Sequence, residues 1–155
     1  MVAGLAASAT IATGATPVAL AARNHAFSAT YIGHGNGAVS GTSASGTASA
    51  TGRGSIIGRG TLAGSARGVL GSQTCVVFRG RTVLKGRRGS IRLVTRRARA
   101  CARSTDANNV SFSGSAHVIG GTSIFAGARG TLAFVGTYAR KSGAVTITFR
   151  GRITF

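Results

Sequence analysis

The sequence contains no glutamate, one proline and a single acidic residue, Asp106. Lysine occurs only at Lys85 and Lys141, and leucine is scarce. With strong helix formers this thin, and alanine scattered among glycine, serine and threonine, no long amphipathic helix can be drawn. The shortage of acids also removes most carboxylate chemistry. There is no acid pair for general acid–base work, and a Ser-His-Asp triad has only Asp106 to recruit. No Gly-x-Ser-x-Gly elbow stands between a strand and a helix, and no Gly-Lys-Ser/Thr opens a helix to hold phosphate. The two cysteines, Cys75 and Cys101, have no Cys or His nearby at ligand spacing. The sequence therefore assigns no catalytic residue, no metal and no cofactor, and leans against an enzyme.

Long apolar runs are also missing. Residues 1–22 are uncharged, but Ser8, Thr10, Thr13, Gly14, Thr16 and Pro17 interrupt them, so no transmembrane segment is read. The segment ends in Ala19-Leu20-Ala21, a small-residue cleavage pattern. Residues 1–21 read as a secretory signal peptide, atypical in lacking a basic residue at its start. Residues 22–155 are then one domain of a secreted protein, extracellular or in the cell envelope. In such a setting the two cysteines pair. The Cys75–Cys101 disulfide would close a loop of 26 residues, worth roughly 3–4 kcal/mol through the chain entropy it removes.

What is abundant suits strands and turns: 25 glycines, with many Thr, Val, Ile and Ser. The end of the chain is the clearest strand. Val145, Ile147, Phe149, Ile153 and Phe155 fall on one parity, and Thr146, Thr148, Arg150, Arg152 and Thr154 on the other. Similar alternation runs through Phe27–Tyr31, Val110–Val118 and Leu132–Tyr138. Arg53–Leu70 reads as one alternating stretch with Gly58, Gly60, Gly64 and Gly68 on the inward parity. Inward glycines permit strong coiling and leave interior volume unfilled. Between Ile91 and Arg103 the parity breaks. A one-residue bulge near Thr95-Arg96 restores it, setting Arg97, Arg99 and Arg103 outward with Cys101, and Ala98, Ala100 and Ala102 inward. Asn36-Gly37 is a hairpin signal, and Gly86–Gly89, Lys141–Gly143 and Asp106–Asn109 read as turns. His34, between two glycines, reads as a loop residue, and His117 as an outward strand residue. His25 lies near the proposed new N-terminus.

Two segments recur in order. Arg59-Gly60-Thr61-Leu62-Ala63 returns as Arg129–Ala133, and Phe78-Arg79-Gly80-Arg81 as Phe149–Arg152, at offsets of 70 and 71. Two related halves of four strands would make a single antiparallel barrel of about eight strands, a size that is filled or holds one small ligand. The fold expected is thus all-β.

The run Gly120-Gly121-Thr122-Ser123-Ile124-Phe125-Ala126-Gly127-Ala128-Arg129-Gly130, followed by the Val145–Phe155 strand, resembles the allene oxide cyclase and dirigent-like barrels, including secreted bacterial members without assigned activity. The resemblance covers roughly the last fifty residues. It implies an eight-stranded antiparallel barrel, often oligomeric, with a mostly apolar cavity. Such cyclases and dirigent proteins use acidic groups in the cavity, and no acid here matches one. Ser123 also stands where the motif often has glycine.

The formal net charge is +18. Arg79 and Arg81, with their repeat mates Arg150 and Arg152, project outward two residues apart, and Arg97 and Arg99 add another row. Guanidiniums about 7 Å apart along a strand suit successive anionic groups. An anionic envelope or extracellular polymer is therefore the expected partner. Nucleic acid is disfavoured because Phe78 and Phe149 have inward parity. The competing expectation is a small apolar ligand bound or cyclised inside the barrel. A homo-oligomer is compatible with both.

Overall fold

The computed structural model describes residues 22–72, 74–103 and 105–155; the proposed signal peptide lies outside them. Eight strands follow one another: β1 (Asn24–Ser40), β2 (Ser43–Gly54), β3 (Gly58–Leu70), β4 (Cys75–Gly86), β5 (Gly89–Arg103), β6 (Asp106–Gly121), β7 (Arg129–Ala139) and β8 (Ala144–Thr154). Each pairs antiparallel with the next, and β8 returns to β1, closing an eight-stranded barrel. Closure leaves no exposed sheet edge. A 3-10 turn, Ser123–Phe125, interrupts the β6–β7 connection.

The alternation sorts side chains to the two surfaces. Thr146, Thr148, Arg150 and Arg152 line the outside of β8, while Val145, Ile147, Phe149 and Ile153 are buried. Charged groups on the outside of β4 and β8 stand where a lipid-facing barrel would carry its apolar band. The repeated segments fall on β3 and β7 and on β4 and β8. These strands are four places apart in a ring of eight. The equivalent Leu62 and Leu132 are both buried in the core.

The bulge lies one residue later than its expected position. Phe78 pairs with Ala98 but Gly80 with Thr95, so Arg96 and Arg97 together occupy the place opposite Arg79. Both are exposed, and Thr95 and Ala98 on either side are buried. The disulfide is present: Cys75 and Cys101 are cross-strand partners, with Cα atoms 4.1 Å apart.

Four local readings are corrected. Asn36 and Gly37 do not form a hairpin turn. They lie within β1, opposite Thr47 and Gly46, and the chain reverses at Gly41–Thr42. Gly41 adopts φ 58° there, and Asn36 instead accepts a 2.7 Å hydrogen bond from the Thr47 hydroxyl. His34 is likewise an outward strand residue, paired with Ser49 and Ala144. Arg53–Leu70 is not one stretch, because it turns at Ser55–Ile57. The turn at Arg87–Arg88 stands as read, and the one read at Lys141–Gly143 falls at Arg140–Ser142. Asp106–Asn109, read as a turn, instead opens β6, with Asp106 opposite Arg103.

Asp106 organises the β5–β6 connection. Its carboxylate accepts the backbone N–H of Asn108 at 3.1 Å and of Asn109 at 3.3 Å, and the Asn109 side-chain amide. The amide bond of Asn109 above all, then the backbone bonds and the Arg103 charge, hold its pKa below the usual carboxylate value against some desolvation.

Candidate functional site

The two ends of the barrel differ. At the end holding the β2–β3, β4–β5 and β6–β7 connections, Ile57 and Phe125 fold inward and are fully buried with Ala128 and Ile153. Phe125 meets Phe155 edge-on at 5.1 Å. Above this plug, Tyr31, Leu62, Leu84, Leu93 and Leu132 complete a packed core.

The other half is hollow. A cavity of about 440 Å³ opens at the end holding the β1–β2, β3–β4, β5–β6 and β7–β8 turns. This is the size range of small-molecule sites. One wall is aromatic and aliphatic: Phe78, Phe112, Phe134, Phe149, Val145 and Ile147. Phe134 touches the other three rings, at centroid distances of 6.5 Å to Phe78, 6.3 Å to Phe112 and 5.9 Å to Phe149. The facing wall is built from small residues of β1–β4, such as Gly37, Gly46, Ala48, Gly64 and Ala66. Large side chains on one wall and almost none on the other leave the space between them open.

Inward glycines serve two purposes. A Cβ on Gly60 would sit against the Lys85 carbonyl, so that glycine allows a close approach of strands outside the cavity. A Cβ on Gly37 would make only ordinary contacts with the Tyr138 ring and the Ser45 carbonyl. The glycine pattern thus revealed the cavity but not which glycines border it.

The polar residues on the lining are Thr82 and Thr95, Asn36, Ser45, Thr47, Ser65 and Arg67 on β1–β3, and Tyr138 and Arg140 at the β7 end. The rim is laced by hydrogen bonds from Lys141 N–H to the Asn108 side chain at 2.8 Å and from Gly35 N–H to Gly143 O at 2.8 Å. The histidines are elsewhere. His34 and His117 face outward, and His25 stacks on Phe155 at the plugged end, 4.6 Å between centroids. Among the described residues, no three His, Cys, Asp or Glu side chains stand together.

The six candidate arginines divide into two groups. Arg79, Arg81, Arg97 and Arg99 gather on β4 and β5, joined by Arg67 and Arg96. Arg150 and Arg152 lie on β8, across the barrel, where Arg152 Nε donates to the Asn24 side chain at 3.2 Å. Four residues expected to bind a polymer therefore share one wall, and the remaining two do not.

The chain matches no protein-family model, no curated protein and no solved structure.

Proposed function

We propose that the protein is a non-enzymatic binder of a small apolar molecule, held in the open half of its barrel. The observation that carries this reading is the cavity of about 440 Å³ with the four phenylalanines on one wall. Burying an apolar ligand there removes apolar surface from water at roughly 25 cal/mol per Å². The resemblance of residues 120–130 to allene oxide cyclase and dirigent-like barrels points the same way. Binding is favoured over cyclisation because the lone carboxylate serves the β5–β6 connection and the histidines lie off the cavity wall. Export from the cytoplasm belongs to the same proposal, since a disulfide persists in oxidising compartments.

The test is titration of the purified protein with an environment-sensitive apolar dye, alongside Ala66→Leu and Gly37→Leu. Both substitutions place bulk in the cavity without driving a Cβ into backbone. Saturable one-site binding that salt leaves unchanged, and that falls at least about tenfold in both variants, is expected. Equal binding by normally folded variants would overturn the reading.

A further inference from the structure

The arginines on β3–β5 form a denser arrangement than strand alternation alone produces. Arg67 on β3 is the direct partner of Arg79 on β4. The β5 bulge sets Arg96 and Arg97 outward together beside Arg79, where a regular strand offers one side chain. Arg81 and Arg99 extend the cluster along the strands, opposite Ser65 and Val77. Six guanidiniums thus stand on three adjacent strands about 4.8 Å apart. Like charges placed directly opposite destabilise a sheet. Asp106, the single acidic side chain, is committed to the β5–β6 connection and does not relieve them. On the flanking outer face of β6 stand the hydroxyls of Ser111, Ser113 and Ser115.

We propose that this outer face of β3–β5 is a binding site for a linear phosphate polymer without bases. Guanidinium forks bind phosphate oxygens through paired N–H groups, and serine hydroxyls add neutral donors beside them. The aromatic rings of these strands offer no platform for bases, since Phe78 and Phe112 line the cavity inside. The wall of a barrel is convex. A flexible chain can follow it and meet every arginine, whereas a flat bilayer touches only its crest. Apart from Arg67, which also borders the cavity, its arginines lie off the cavity lining.

The experiment titrates labelled inorganic polyphosphate with the purified protein across a salt series centred near ~0.15 M. Two double variants decide the outcome: Arg79→Gln with Arg97→Gln, and Arg150→Gln with Arg152→Gln on the opposite wall. Each pair removes the same charge, so nonspecific attraction falls equally in both. The proposal expects the first pair to weaken binding at least about tenfold and to flatten the slope of log K against log salt by about 1 to 2. The second pair should change affinity less than about threefold. Arg81→Gln with Arg99→Gln should reproduce the first result. Equal losses from the opposing pairs would overturn the proposal, leaving a cationic surface without a site. Tighter binding to single-stranded DNA, heparin or anionic vesicles than to polyphosphate would overturn the assignment of its occupant.

Discussion

Ser123 shows how one residue carries the local demand of its connection. It is the non-glycine residue with positive φ among the described residues, at 56°. A side chain in that left-handed region costs about 1–2 kcal/mol. Ser123→Gly is expected to raise stability by about 0.5–1 kcal/mol, the relief being partly offset by the freer unfolded chain. Urea denaturation measures this, and a loss of stability would show that the hydroxyl contributes more than the strain. Tyr31 makes the opposite case, a polar group with no partner. Its hydroxyl is buried without a hydrogen bond, and burial pushes its pKa from 10.0 up to about 12. The sign follows from the unfolded chain. Below pH 10 the phenol is neutral in both states; above it the unfolded phenol ionises while the folded one keeps its proton. Stability should therefore fall between about pH 10 and 12. Tyr31→Phe should remove that part of the alkaline loss and stabilise by about 1 kcal/mol or more at neutral pH, since no bond is sacrificed. Denaturation midpoints of the two proteins across that range check it, and parallel curves would exclude Tyr31 as the source.

At the scale of elements, alternation was legible wherever a strand has one buried face. β8, β6 and β7 could be drawn from parity alone, and the shifted parity set Cys101 outward with the β5 arginines. Turns were less legible where two signals competed. Asn36-Gly37 has hairpin chemistry, yet Gly37 occupies an inward place facing Tyr138 and Asn36 finds Thr47 across the ladder. Long-range pairing overrode the local preference, and Gly41 made the turn. The Ser55–Ile57 connection was missed because Ile56 continues the inward parity of Gly58 and Gly60, whereas Ile57 falls on the outward parity. It is buried, but as part of the plug over the barrel end. The bulge was visible because apolar Ile91 and Leu93 share parity with Arg97, Arg99 and Arg103.

At the scale of the whole molecule, strand count and closure followed from the repeat, and the hollow half from inward glycines. Which aromatics face those glycines depends on ring order, and no local pattern contains that. The division of the arginines has the same origin. An offset of about 70 residues carries a segment four strands onward, which in a ring of eight is the far side. Arg150 and Arg152 were therefore bound to face away from Arg79 and Arg81, and their similarity in sequence is what separates them in space. Dye binding and polyphosphate binding thus concern different parts of one molecule, and each can fail while the other stands.

The disulfide has a further consequence at this scale. Cys75 belongs to the last strand of the first repeat and Cys101 to the first strand of the second, so the bond fastens one half of the barrel to the other. The peptide link between those halves is the exposed turn at Arg87–Arg88. That turn is therefore covalently redundant. A protease that severs it converts the protein into two chains that remain a single barrel, with every ladder intact, and that part only when the sulfurs are reduced and the strands unfold.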